Sequence, residues 1–425
     1  MYKVFSDVNI LGNPFSNDTN VLNKSFYHEL LHIIGLKEKT DKGKKIIHRK
    51  DDNNRDHSSI IESAIDILET HDSLRRIKNY PQEKAYNVGL TLSLTWINRI
   101  LFLKLLESQL QSYHPHETQK YSFLNSNFIK SFTDLNNLFF SVLAIKPDDR
   151  GPKYKEKYQH IPYLNSSLFE KTSLEEDTIQ ISALNSDEMR VSNKTVLKEN
   201  GKPFKGKIST LEYLFRFLDC FDFATDGSEV VSDNEQSETL INASVLGLIF
   251  EKINGYKDGS FYTPSYITMH MCKESLRKAV VQKFNEKESQ DFETFKDLLF
   301  YCTKVNKLDE IQRLNKVFNS LKICDPAVGS GHFLVSALNE LIVIKHELGL
   351  LIDAKGASLN KYQITIANDE LCVTDENNQF IEYKFDSEAS SGRCNESAKI
   401  QHTLFHEKQT IIENCLFGVD INPNS

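Results

Sequence analysis

Apolar positions recur at three-to-four spacing over much of the first half of the chain. Residues 24–36 read as a short amphipathic helix ending near Gly35, and residues 60–80 and 83–110 as long helices. In the longest, Leu90, Leu94, Ile97, Leu101 and Leu105 form the stripe. Arg99 and Lys104 fall among apolar neighbours, where the expectation is packed stems with charged tips at the surface. The charged segment 37–59 reads as loop. Residues 127–143 continue the helical pattern, and the Pro147–Pro152 stretch breaks it. Residues 178–182 and 194–197 read as short strands and 211–221 as helix. Residues 224–238, rich in Asp, Glu and Ser, form a polar connector.

The pattern changes in the second half. Ile323-Cys324-Asp325 reads as a strand, Pro326 to Gly331 as a tight turn, and the following run as a helix with Leu334, Leu338, Leu341 and Leu348 on one face and Gly349 as its stop. Gly329 and Gly331 let the backbone turn sharply and approach a ligand. Strand, glycine turn and helix together are the geometry of a cofactor pocket at the carboxyl ends of an open α/β sheet. The turn lacks the third glycine of a dinucleotide fingerprint, and no phosphate-cradling P-loop occurs. Asp325 is either a ligand or a brace for the local turn amides. Residues 362–367, 371–374 and 380–385 read as strands of a small meander, and 402–414 as a helix feeding a last strand, Leu416 to Val419, that ends in Asp420. An acid in that place can accept both ribose hydroxyls of an adenosine.

With 425 residues the chain accommodates two or three domains. Its net charge of -8 gives no global basic signature. Lys42, Lys44, Lys45, Arg49 and Lys50 make a local basic patch, a solvated loop or a DNA contact. The seven cysteines are scattered without a C-x-x-C pair, so neither disulfides nor a metal site is expected, and Cys324 and Cys415 read as core. That usage suits a reducing cytoplasm. The N-terminus lacks a signal-like apolar region, and no apolar run of membrane-spanning length is read, so no membrane partner is expected.

The run Asp325-Pro326-Ala327-x-Gly329-Ser330-Gly331-x-Phe333-Leu334 resembles the first motif of S-adenosylmethionine (SAM) dependent DNA amino-methyltransferases of the N6-adenine group. The resemblance implies that Asp325, Pro326, Ala327, Gly329, Gly331 and Phe333 shape the SAM turn, that Asp420 takes the ribose, and that Ile421 packs on the adenine ring. Residues 246–253 followed by Phe261-Tyr262-Thr263-Pro264 look like the family motif that closes over the methionine end of SAM, through Tyr262, Thr263 and Pro264. The alternative there is a plain helix entry with Pro264 in the first turn. Residues 26–36, 90–110 and 134–144 resemble the helical connector of fused restriction–modification enzymes of the type IIG class. The resemblance spans most of the chain. It implies an α/β organisation: a mainly helical module at 1–223, a polar linker at 224–240, and a SAM-binding core at 241–425. That core is the first part of a Rossmann-like class I SAM-dependent methyltransferase sheet with an inserted β-meander at 351–410. The insertion accounts for the 89 residues (420 − 331) between Gly331 and Asp420.

The implied activity is site-specific methylation of adenine N6 in double-stranded DNA, with the target base flipped, in the bacterial cytoplasm. The family's Asn/Asp-Pro-Pro-Tyr/Phe loop, which receives that base, is absent from these residues; Asn422-Pro423-Asn424 lacks the second proline and the aromatic. No catalytic residue is therefore assigned, and the chain by itself is expected to be catalytically silent. Asp369 with Glu382-Tyr383-Lys384 has formal nuclease spacing but reads better as a surface hairpin. Two rivals stand beside this reading: a SAM-dependent enzyme acting on RNA or protein glutamine, and a non-catalytic segment that docks DNA or a partner.

Overall fold

Asn23 opens the first helix, α1 (Lys24–Ile34), by accepting the Phe26 N–H, and Gly35 closes it at φ 102°. The computed structural model describes residues 23–41, 44–71, 73–77, 85–114, 116–164, 166–223, 240–241, 245–247, 249, 253, 263, 265–329, 331–353, 355–367, 370–377, 379, 381 and 396–420. They divide between two units, separated in sequence after Tyr256.

In the N-terminal unit, α1 is followed by the antiparallel strands β1 (Leu36–Asp41) and β2 (Lys44–Arg49), paired from Leu36↔Arg49 to Asp41↔Lys44. This segment was expected to be loop. Two-residue alternation overrides its charge, because Leu36 and Ile47 are buried on one face while Lys37 and Lys39 fall on the other. The helices α2 (Ile60–Thr70) and α3 (Ala85–Tyr113) follow. By length and composition α3 could cross a membrane, contrary to the reading that no run here was long enough. In this fold it is a core helix with Trp96, Ile97, Ile100, Leu101 and Leu103 buried. The short helix α4 (Phe132–Asn137) continues as a π-helical turn, Leu138–Leu143, and α5 (Pro152–Lys157) starts with Pro152 in its first turn. A capping box between Thr172 and Glu175 starts α6 (Ser173–Asp177).

Residues 178–182 form no strand; Ile181–Ala183 is a 3-10 turn. The strands lie later, as β3 (Glu188–Arg190) against β6 (Lys207–Ser209) and the small pair β4 (Lys198–Glu199) and β5 (Lys202–Pro203). Then come α7 (Thr210–Leu218) and β7 (Asp222–Phe223), which pairs in parallel with β8 (Leu240–Ile241). Ile241, Val245, Leu246, Ile249 and Ile253 belong to this same core. These five residues, expected from the sequence to belong with the segment that starts at residue 241, thus pack in the first unit.

Arg99 departs most from its expected role. It is 1% exposed and has no charged tip at the surface. Its guanidinium donates to both Glu175 oxygens at 2.5 and 2.9 Å and to the carbonyls of Leu168 and Glu170 at 2.6 and 2.8 Å, while Trp96 Nε1 donates to Glu175 at 2.9 Å. Burial opposes the Glu175 charge, yet the Arg99 guanidinium prevails and holds that carboxyl below the ordinary glutamate range.

The C-terminal unit has its own core, built from α8 (Ser265–Glu288), α9 (Phe295–Cys302), α10 (Leu308–Phe318), α11 (His332–Glu347) and α12 (Glu396–Cys415). The strands β9 (Ile323–Asp325) and β12 (Leu416–Gly418) pair in parallel. Between α11 and α12 stands the antiparallel hairpin β10 (Gln363–Ala367) and β11 (Glu370–Thr374), within the segment expected as a meander. Ile381 N donates to Val373 O at 3.0 Å, extending that hairpin by one contact. Asp369 and Glu382-Tyr383-Lys384 lie outside the described residues.

Glu175→Ala would strand the Arg99 charge and should cost about 3–5 kcal/mol in chemical denaturation, against far less for the double replacement Arg99→Met with Glu175→Leu. Because the Glu175 carboxyl is depressed in the folded state, its contribution is complete above about pH 4.3 and fades as pH falls through the lower folded value. A wild-type-like midpoint for Glu175→Ala would contradict the role assigned to this pair.

Candidate functional site

The site forms where two parallel strands end together. β9 and β12 run in register, Ile323↔Leu416, Cys324↔Phe417 and Asp325↔Gly418. Beyond the ladder, Val419 N donates to Asp325 O at 2.9 Å, and Val328 N donates to Val419 O at 3.0 Å. Val419 thus joins the end of β9 to the middle of the glycine turn, and Asp420, exposed, is the next residue along. Separated by 89 residues in sequence, Gly331 and Asp420 are brought to the same carboxyl edge.

Asp325 takes part in the turn. Its Oδ1 accepts the Ala327 N–H at 3.0 Å, the side-chain-to-backbone bond that opens such a turn. Pro326 and Ala327 are exposed, Val328 and Gly329 half-buried. Gly329 has φ 52° and Gly331 φ 80°, both in the left-handed region that side chains disfavour. Gly331 N bonds Val328 O at 2.9 Å, and Gly331 O accepts Val335 N at 3.0 Å to start α11. A Cβ built on Gly331 meets nothing within 4 Å, so the glycine answers to backbone angle and leaves open space before the turn. Phe333 is half-buried in the first turn of α11. Burial pushes the neighbouring His332 imidazole below its ordinary value.

Of the helix entry upstream, only Thr263 is described. Thr263 is exposed, two residues before α8; Tyr262 and Pro264 lie outside the described residues, as does Ile421. Helix α8 packs along α11 through Thr268–Ser336 at 3.0 Å and Arg277–Glu340 at 3.0 Å, so the two helices run in the same sense with their amino ends together. Arg277 continues to Glu347 at 2.7 Å.

Two supports were not foreseen. Gly418 faces Val328 so closely that a Cβ would sit 2.7 Å from Val328 Cγ2. The signal was present, since a lone glycine inside an apolar strand marks the close approach of another group. Lys345, fully buried, bonds the Glu407 carboxylate and, at 3.2 Å, Asn319 Oδ1, tying α11 and α12 to the turn before β9. Cys415 is core as expected, whereas Cys324 is exposed. One face of the strand pair stands open to solvent, with Phe417 at 44% and Val419 at 57% exposure. Among the described residues no three His, Cys, Asp or Glu side chains are grouped to hold a metal.

Residues 19–241 match a family model described as a domain of unknown function, DUF7814. Over 278 residues the chain is 28% identical to a Methanocaldococcus jannaschii protein provisionally named a type II restriction enzyme and methyltransferase. The match covers 60% of this chain and 21% of that relative, so the chain spans about a fifth of the relative's length. No solved structure matches.

Gly418→Ala should displace Val328 and cost about 1–3 kcal/mol, with Val328→Ala restoring much of the loss. A double-mutant cycle by urea denaturation reads the coupling. Strict additivity would mean that the two residues do not brace each other.

Proposed function

We propose, for a chain that belongs to the DUF7814 family, that its C-terminal unit binds SAM as the cofactor half of a restriction–modification DNA methyltransferase. The observation that carries this reading is the left-handed glycine turn set beside Asp420 at the carboxyl ends of a parallel strand pair. In open α/β sheets ligands are taken up at that edge. Support also comes from the relative whose name joins restriction and methyltransferase.

The residues present fit the group. Open space before Gly331 admits a ligand against bare backbone, and the exposed Asp420 carboxylate can accept ribose hydroxyls. Asp325, bonded to Ala327 through one carboxylate oxygen, holds the turn in shape. Phe333 and the amino end of α8, with Thr263, border the methionine end. When bound, SAM supplies an electrophilic methyl group. The chain's part is to fix its orientation, since methyl transfer demands an in-line approach at near-attack distance.

The finer reading is a Rossmann-like class I fold of the type IIG class, acting on adenine N6 in duplex DNA in the cytoplasm. Adenine within a duplex cannot present its amine in line, so the base must leave the stack. The Pro-Pro loop that would receive it is absent from residues 1–425, and the methyl-transfer step is proposed for a longer polypeptide containing this chain.

Calorimetry with SAM and S-adenosylhomocysteine tests the cofactor site. Asp420→Ala removes a charged acceptor and should weaken binding by about 1.5–3 kcal/mol. Equal affinity in the variant would remove Asp420 from the site. Joined to its downstream sequence, the chain should transfer tritiated methyl groups to duplex DNA and yield N6-methyladenine; a product on cytosine or RNA alone would overturn the finer reading.

A further inference from the structure

His32 lies in the last turn of α1, half-buried, where three stretches of chain meet, and its two ring nitrogens answer to opposite partners. Nε2 is 2.8 Å from the carbonyl oxygen of Arg190, the last residue of β3. Nδ1 is 3.1 Å from Nζ of Lys50, the residue just after β2, and the same ammonium donates to His32 O at 3.3 Å. A carbonyl can only accept and an ammonium can only donate. The ring therefore carries its proton on Nε2 and keeps a lone pair on Nδ1, so the geometry calls for the neutral imidazole.

The surroundings offer little to offset a second positive charge. The Tyr213 ring of α7 stands at 62° to the imidazole, 6.2 Å away between centroids. Its hydroxyl donates to Glu29 of α1, a carboxylate that also takes Thr195 and Val196. Asp56 favours a charged ring, but it already accepts the N–H groups of Ser58 and Arg190. Glu62 of α2 is paired with Arg49, and Arg55 adds a cation on the far side, donating to Lys50 O at 3.0 Å. The Arg190 side chain is exposed. Burial first, then the Lys50 ammonium, hold the His32 imidazole below its ordinary value.

We propose that the Lys50–His32 contact is a proton-operated latch, closed while the imidazole is neutral and opened when Nδ1 takes a proton. Protonation sets an N–H against the ammonium, two donors and two cations with no acceptor between them. Lys50 must then swing away, which frees the chain after β2 from α1 and loosens its link to β3. The buried Leu36 and Ile47 and the Arg49–Glu62 pair keep the rest of the ribbon seated. Because the closed state depresses this histidine, its stabilisation is complete above about pH 6.5 and fades as pH falls toward the lower folded value. The inference goes beyond the cofactor site and does not depend on it.

The test uses the full chain. Nitrogen-15 histidine NMR should find His32 as the Nε2–H tautomer at neutral pH, with a titration midpoint below about 6.5. Lys50→Met keeps the bulk and removes the charge, so that midpoint should rise. Hydrogen–deuterium exchange, corrected for its intrinsic pH dependence, reads the latch itself. Peptides covering 44–55 and 188–192 should lose protection at least about fivefold between about pH 7.5 and about pH 5.5, against a ceiling of about tenfold per pH unit for one proton, with α3 unchanged. His32→Gln retains a donor for Arg190 O and an acceptor for Lys50 without a titratable proton, and should hold protection flat over that range. That variant also separates His32 from the nearby His48 and His57. A His32 midpoint at or above the ordinary value, an unmoved midpoint in Lys50→Met, flat protection in wild type, or an equal loss in His32→Gln would each overturn the proposal.

Discussion

Everything proposed for the C-terminal unit rests on one backbone constraint, the parallel pairing of β9 with β12 and its continuation through Val419. A parallel pair cannot close through a tight turn; it needs a crossover. Here the crossover is long, comprising α11, the β10–β11 hairpin and α12. Val419 completes the pairing with one bond to Asp325 O and one from Val328 N, so the glycine turn is held in place by the other strand. Around it the polar supports are few and specific. Lys345 reaches Glu407 and Asn319, and Lys322 bonds Asn414 O. Burial pushes the Lys345 ammonium below its ordinary value while Glu407 opposes that shift, which is the balance expected of a buried charge paired with a carboxylate.

The N-terminal unit solves a different problem by similar means. Its long helix α3 is apolar enough to be promiscuous in packing, and the buried Arg99–Glu175 pair, stacked near Phe139 and Phe140, gives it one register against α6. Each guanidinium donor that meets a carbonyl or carboxylate here would be costly to bury bare. Glu29 plays a comparable part, accepting Val196 N at 2.8 Å and Tyr213 Oη at 2.7 Å.

What the sequence disclosed follows physical range. Helices with three-to-four periodicity and a glycine at their end, α1 and α11 above all, are local events and were legible to within a few residues. The glycine turn was legible because positive φ is a property of single residues. The β1–β2 ribbon was hidden because its charge argued for loop while the deciding fact, burial of Leu36 and Ile47, depends on α1 and α2. Arg99 was misread for the same reason, since its partner lies 76 residues away. Asp325 could not be assigned from sequence, because ligand and turn brace call for the same residue. Cys324 was read as buried because an apolar strand suggests two covered faces; here one face is open. Gly418 was overlooked because its reason is distant in sequence, a valine 90 residues earlier (418 − 328) that leaves no space for a β-carbon.

The most direct measurement of the central claim is hydrogen–deuterium exchange of the full chain with and without saturating SAM. If the cofactor enters at the carboxyl edge of β9 and β12, slowing should concentrate in peptides covering 326–335 and 416–420, with the α3–α7 region unchanged. Slowing confined to the N-terminal unit, or none at any peptide despite calorimetric saturation, would contradict the account.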